Sequence, residues 1–471
     1  MDLQISPETA PKDRFKLVYI IFYCFGIVTL LPWNMFITVA AYWDLKFRTV
    51  SSSVEEPYAT HTNVTDGQEA IISSCHGDCP NDLQKAWGGY LAVANMVPFV
   101  IFLTLNSVIG HHFRALPRLL TSLVLNIFSF SFTTAMVKVD TDAWQSTFLY
   151  LTLASVSFIM VNSAIFEGGI FGVAGKFPPA YMGAVFSGQA VGGVLVSGSN
   201  VLILALGASA EQSAFICFLI SVIFLSAALL SFALVTRMEF YQHYLGENSP
   251  AIATLETKPE TATLLQTSDV PVLVLKANDD HDAPPLSQVS PLRVLLQILP
   301  YALAVHLVFL VTLSVFPAVS MQVVSIADPG TPWATKFYVP VACFLLFNIG
   351  DYIGRILAEV IAWPRPSATG AYVTLALSSA RLLFIPLFLC CNVRPGDRSI
   401  TPVVFESDVI YMLIMAVFSL SNGYISSICM VAAPQLVRPE EAQTAAALMA
   451  ALLGWGLALG AAASNALVLL I

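Results

Sequence analysis

Charge is scarce in this sequence. Asp, Glu, Lys and Arg together supply 11% of its 471 residues, where a soluble globular chain carries roughly 25%. That excludes an ordinary soluble domain. The net charge of −9 comes without a concentrated basic face, so a nucleic-acid partner is excluded as well. Much of the acid falls in two long polar loops. No Walker motif, no cluster of metal-ligating residues and no Ser/His/Asp arrangement occurs. ATP-driven pumping, metal chemistry and hydrolysis therefore find no footing, and no cofactor is expected. A cleavable signal peptide is also not evident, because the start is polar and the first apolar run already has spanning length. Of eight cysteines, six (Cys24, Cys217, Cys343, Cys390, Cys391, Cys429) fall in or at the ends of apolar segments. There, Cys usually serves as a small packing residue.

What the sequence does have is apolar length. Hydrophobic residues make up 57% of it, and the mean hydropathy is +0.76. A bilayer-spanning helix needs about 20 mostly apolar residues. Eleven segments meet that need, near 17–42, 88–110, 117–137, 146–174, 181–206, 214–236, 294–324, 337–361, 370–392, 408–432 and 445–469. The expected fold is an all-α polytopic membrane protein with the lipid bilayer as its partner. Residues 1–16 form a polar tail. Residues 17–236 form a six-helix bundle with a polar loop at 44–87. Residues 237–293, rich in Thr, Pro, Glu and Asp, read as a disordered linker. Residues 294–471 form a five-helix bundle. Two bundles joined by a long linker are the plan of many secondary transporters, with the solute site near mid-membrane between them.

The basic residues set the expected orientation. With the N-terminus cytoplasmic, 12 of the 21 Lys and Arg lie inside, 7 lie outside, and Arg355 and Arg381 lie in the membrane. Loop 44–87 then faces outward, and so does the C-terminus. The loop itself agrees, since it holds the glycan acceptor Asn63-Val64-Thr65. It also holds Cys75-His76-Gly77-Asp78-Cys79, a pair expected to form a disulfide in an oxidising compartment, with a zinc site as the weaker alternative.

Polar residues inside the spans are the candidate functional groups, because a charge at mid-bilayer costs on the order of 2.5–3.5 kcal/mol on insertion scales. Phe344, Asn348, Asp351 and Arg355 follow the i, i+4, i+7, i+11 rhythm of one helix face. This face is either a solute-handling surface or an ion pair that fixes two helices in register. Glu167, one turn from Ser163, could accept from a solute donor, attract a cation or exchange a proton; its alternative is pairing with Arg355 or Arg381. For Arg381, an interhelical ion pair is expected. Trp33 and Ile37 share a face beside the bend at Pro32, as do Met96 and Phe99 beside Pro98. The stretch Ser187-Gly188-Gln189-Ala190-Val191-Gly192-Gly193 is a close-packing face, and His306 reads as a packing residue.

Several motifs together resemble the equilibrative nucleoside transporters: Leu30-Leu31-Pro32-Trp33-Asn34, Phe344 to Asp351 with Gly354-Arg355, Phe316-Pro317-Ala318-Val319, Ser421-Asn422-Gly423-Tyr424, Gly456 to Gly460, and Glu239-Phe240-Tyr241. The likeness covers nearly all the chain apart from the tails and the two long loops. It implies a major-facilitator-like fold, alternating access and facilitative transport of purine and pyrimidine nucleosides, extending to nucleobases, by a monomer. Carried over by motif, Asp351 and Arg355 would hold the ribose hydroxyls. Asn348, Phe344, Trp33, Ile37, Met96 and Phe99 would wall the site, with Ser163 and Glu167 beside it. Asn34 and Gln189 would belong to the gating set. The resemblance also implies a cytoplasmic closing network of Arg118 with Glu440 or Glu441, and an outer gate at Phe316 and Pro317.

Segment four departs from the family pattern. The position of Glu167 is typically glutamine and that of Ser163 typically glycine. An ionised glutamate offers only acceptors where glutamine offers both kinds of group. Protons as a coupled ion, and an organic-cation or monoamine carrier of the same family, therefore stand as alternatives; a non-transporting membrane receptor is the alternative of another class. The expected location is the plasma membrane. The dileucine-like Glu260-Thr261-Ala262-Thr263-Leu264-Leu265 makes the late endosome or lysosome the alternative.

Overall fold

The computed structural model describes residues 11–48, 82–110, 113–245, 290–394 and 402–470. Asn63, Cys75, Cys79 and the dileucine-like stretch lie outside them. Among the described residues, eleven helical segments are long and apolar enough to cross a membrane: α1 Arg14–Thr38, α2 Gly89–Ile109, α3 Ala115–Val137, α4 Asp142–Ala174, α5 Pro179–Ala205, α6 Ala210–Val235, α7 Pro291–Gln322, α8 Trp333–Ile361, α9 Ala368–Leu389, α10 Asp408–Leu436 and α11 Pro439–Val468. They fall within a few residues of the segments read from hydropathy, with a helix satisfying its own backbone hydrogen bonds in each. Local chemistry sets their ends. Asp13 accepts from the Val18 and Tyr19 amides at 3.1 Å and caps α1. Ser209 and Gln212 form a reciprocal capping box on α6, each bond 3.2 Å. Ser367 accepts from the Gly370 amide at 3.0 Å and starts α9.

Within α1–α6, α1 packs on α5, α2 on α4, and α3 on α4 and α6; within α7–α11, the main pairs are α7 with α11, α8 with α10 and α7 with α9. Across the seam between the sets, α5 meets α8 and α10, while α11 meets α2 and α4. Small residues permit the tightest crossings. A Cβ on Gly192 would sit 2.8 Å from the Ile27 carbonyl oxygen, where α5 passes α1. One on Gly423 would sit 2.8 Å from the Asp351 carbonyl carbon, where α10 passes α8. The packing face expected at Ser187 to Gly193 is realised in this way.

The linker expected over 237–293 is not bare at its start. Glu239–Leu245 is helical, and Phe240 and Tyr244 pack on Phe177 with ring centroids 6.1 and 5.1 Å apart. Three aromatic residues within five positions give this short helix an apolar face to bury, which the polar average of the longer stretch concealed. Pro291 likewise opens α7 inside the expected linker boundary.

Candidate functional site

A cavity lies between the two sets of helices, at the level where both carry their polar residues. Its wall takes Thr29, Trp33 and Asn34 from α1, Asn95, Met96 and Phe99 from α2, Ser163 and Glu167 from α4, and Gln189 from α5. From the other side come Thr312, Phe316 and Pro317 of α7, Phe347, Asn348, Asp351 and Arg355 of α8, Asn422 of α10, and Leu453 and Leu457 of α11.

The charged centre is a single hydrogen-bonded chain. Arg355 meets Asp351 through Nε and Nη2, at 2.9 and 2.8 Å from Oδ2. Its Nη1 donates to the Phe186 carbonyl, and the guanidinium lies 4.0 Å from the Phe186 ring centroid. Asn422 Nδ2 donates to the other Asp351 oxygen at 2.6 Å. On the far side, Gln189 Oε1 stands 3.5 Å from Arg355 Nη1, and Gln189 Nε2 donates to Thr29 Oγ1 at 2.9 Å and Glu167 Oε1 at 3.2 Å. Glu167, Asp351 and Arg355 are all at most 4% exposed, so each needs these partners.

Arg381 was expected in an ion pair, and the structure corrects this. It has no carboxylate within ion-pair distance among the described residues. It donates instead to the Phe418 carbonyl at 2.8 Å, Ser421 Oγ, Thr312 Oγ1 at 2.9 Å and Asn422 Oδ1 at 3.4 Å. It reaches Asp351 only through Asn422.

The free polar atoms on the wall are mostly acceptors. Asn34, Asn95 and Asn348 each tie their amide nitrogen to the carbonyl four residues back, at 3.0, 2.8 and 2.9 Å. Of their oxygens, that of Asn348 lies against Gly193 of α5. Glu167 Oε2 and Asn95 Oδ1 are buried without a partner among the described residues, an arrangement that calls for a donor from the cavity.

Most of the residues singled out from sequence meet here, but some do not. Phe344 and Ile37 are not on the cavity wall. The turn holding Phe344, Val339–Leu345, is π-helical, so the α-helical rhythm fails there. Phe347 takes the wall position. Its ring stacks on Phe316 with centroids 4.0 Å apart, while Phe344 packs edge-on against Phe316 at 5.6 Å. The closing network of Arg118 with Glu440 or Glu441 is also absent among the described residues. Arg118 Nη1 donates to the Gly110 carbonyl at 2.8 Å. Glu441 accepts locally from the Arg438 amide at 3.3 Å and caps its own turn, and Glu440 is exposed.

Other contacts close the end of the cavity where α1 begins. Tyr23 and Tyr352 hydroxyls lie 3.0 Å apart, Ser187 Oγ donates to Glu359 Oε1 at 2.7 Å, and a Cβ on Gly175 would lie 2.8 Å from the Ala442 carbonyl oxygen. Sequence reading passed over Thr312, Thr29 and the Tyr23–Tyr352 pair. Each is a single hydroxyl in an apolar run, which carries no periodic signal. His306 packs as expected, with Nδ1 at 3.2 Å from the Leu452 carbonyl.

Eleven spans around a buried, charged central cavity define a polytopic membrane protein of the solute-carrier kind. A family model described as nucleoside transporter matches residues 153–469. The chain is 33% identical over 460 residues to equilibrative nucleoside transporter 1 of Rattus norvegicus, covering 96% of this chain and 97% of that one. It is 33% identical over 472 residues to equilibrative nucleoside transporter 2 of Homo sapiens, covering 97% of each. The chain belongs to the equilibrative nucleoside transporter family. Among solved structures, the human organic anion transporter MFSD10 superposes with a TM-score of 0.50 at 14% identity, covering 97% of this chain and 94% of that one, a likeness of fold.

Proposed function

We propose that this chain carries purine and pyrimidine nucleosides, and extends to nucleobases, across a membrane down their own gradient. Family membership gives the solute class. The observation that carries the site assignment is the buried Asp351–Arg355 pair on the cavity wall, between the two sets of helices. A carboxylate can accept from two vicinal ribose hydroxyls while an arginine donates to their oxygens. Trp33, Met96, Phe99 and the Phe316–Phe347 stack offer apolar and aromatic surface to the base.

Alternating access is the proposed cycle. All cross-seam side-chain hydrogen bonds given above lie at or below the charged centre, toward the start of α1, and their release would open that end. By the basic-residue bias this end is cytoplasmic, and the protein is placed in the plasma membrane as a monomer, with the late endosome or lysosome as the alternative location.

Glu167 is read as the group that makes transport pH-dependent. Facing it are Gln189 on α5, Thr29 on α1 and, across Gln189, Arg355 and Asp351 on α8. On α3, Arg118 lies beside the neighbouring Gly169. The unpartnered Glu167 Oε2 also favours a second reading, a protonated organic amine as solute.

The test is uptake of labelled adenosine and uridine into vesicles reconstituted with the purified chain, with serotonin as competitor. Saturable, trans-stimulated nucleoside flux supports the proposal. Flux of serotonin alone would move the assignment to the second reading, and no flux of either would return the chain to a receptor role.

A further inference from the structure

Arg381 lies on α9, a span that contributes no residue to the cavity wall. It is 2% exposed, and burial of a guanidinium without a carboxylate partner is costly enough to need a purpose. The geometry around Asn422 supplies one. Arginine has donors only. The Asn422 atom that faces Arg381 Nη2, 3.4 Å away, must therefore be the amide oxygen. The same oxygen lies 2.7 Å from Thr312 Oγ1, whose single proton is shared with the Val308 carbonyl, also at 2.7 Å, and which accepts from Arg381 Nη2 at 2.9 Å. With its oxygen held in this way, the Asn422 amide must turn its nitrogen to Asp351, where it donates at 2.6 Å. The reversed amide would set N–H groups against the guanidinium and an oxygen against the carboxylate. The orientation is thus set by the hydrogen-bond network itself.

We infer that Arg381 is a positioning residue for the sugar end of the solute. It locks the Asn422 amide, which together with Arg355 fixes both oxygens of Asp351 and leaves one lone pair, on Oδ1, for the occupant. This inference rests on the reading that Asp351 receives the ribose hydroxyls. Arg381 touches no solute. Its effect reaches the cavity through four helices, α9 to α7 and α10 to α8.

The measurement is the ribose preference: the ratio of the apparent affinities for uridine and 2′,3′-dideoxyuridine in reconstituted vesicles. Arg381→Met should lower this ratio by about tenfold to a hundredfold, the range for a hydrogen bond to a charged group. The loss should fall on uridine, with dideoxyuridine affinity unchanged. Arg381→Lys keeps a donor-only cation but cannot span the same acceptors, so its ratio should fall between. Arg381→Met combined with Asn422→Leu should be no worse than the poorer single variant, because both act through one relay. A purely structural role would instead cut uptake of both solutes together and leave the ratio intact, overturning the inference. If Arg381→Met does not fold, a wild-type ratio in Arg381→Lys overturns it equally. A wild-type protein with no ribose preference would sink the Asp351 reading itself, which is a separate failure.

Discussion

Ser187 Oγ donates to Glu359 Oε1 at 2.7 Å, joining α5 to α8 across the seam between the two sets of helices. With the Tyr23–Tyr352 contact at 3.0 Å, it forms a clasp at the end of the cavity where α1 begins. Ser187 is buried, but Glu359 is exposed, so the bond competes with water. Ser187→Ala should weaken the clasp by about 1 kcal/mol, roughly fivefold in a two-state population. A cysteine placed at Ala190, on the cavity wall, should then react faster with a thiol reagent supplied from the α1-start side. An unchanged labelling rate would show that the helix packing alone holds this end shut.

Asp351 is held by Arg355 on one oxygen and Asn422 on the other. Asp351→Ala would strand a buried arginine, a change worth about 3–5 kcal/mol, so misfolding and lost function would be hard to separate. Asp351→Asn keeps the shape and is the better probe. It should nearly abolish uridine uptake while leaving expression at the membrane largely intact, and 2′,3′-dideoxynucleosides should compete poorly against the wild-type protein. Full uridine uptake by Asp351→Asn would reduce Asp351 to a strut that ties α8 to Asn422 of α10.

Glu167 Oε1 accepts from Gln189, and Oε2 has no partner among the described residues. A carboxyl group in that place accepts when ionised and donates from one oxygen when protonated. Nucleoside uptake by the wild type should therefore change across about pH 5.5 to 8, and Glu167→Gln, which cannot titrate, should flatten the profile. Superimposable profiles for the two proteins would exclude Glu167 as the sensor.

Gly423 sits where α10 crosses α8. A Cβ there would lie 2.8 Å from the Asp351 carbonyl carbon and 3.0 Å from the Arg355 amide nitrogen. Gly423→Ala should force the helices apart at Asp351 and Arg355, the residues proposed to bind solute. An overpacking cost of about 1–3 kcal/mol is expected, seen as a lower melting temperature in detergent together with weakened uptake. Gly198→Ala is the control, since a Cβ there meets nothing. Equal stability of the two variants would mean that the crossing is looser than drawn.

How far the sequence carried the site depended on periodicity. Asn348, Asp351 and Arg355 lie on true α-helix, and their spacing alone placed them on one face. Phe344 lies one turn away in a π-helical stretch, where that spacing does not apply. Hydropathy found the eleven spans because each is long and apolar. It could not find partners, since Arg381, Thr312 and Asn422 stand on three different spans and meet only in three dimensions. Arg118 and Glu441 meet backbone groups instead of each other: Arg118 Nη1 donates to the Gly110 carbonyl and Glu441 accepts from the Arg438 amide, while Arg118 Nε has no partner among the described residues. A charged side chain seen in sequence shows that a partner is needed, not which one it finds.

The chain from Glu167 through Gln189, Arg355, Asp351 and Asn422 to Arg381 links two carboxylates and two guanidiniums. With all four ionised, their charges sum to zero, and a nucleoside adds none. The membrane potential, worth about 2.3 kcal/mol per charge per 100 mV, then has no net charge to act on as access to the site switches sides in the proposed cycle. Uptake should be electrically silent and indifferent to depolarisation. A proton on Glu167 would end that indifference, leaving one positive charge in the moving centre and a current that electrodes can read.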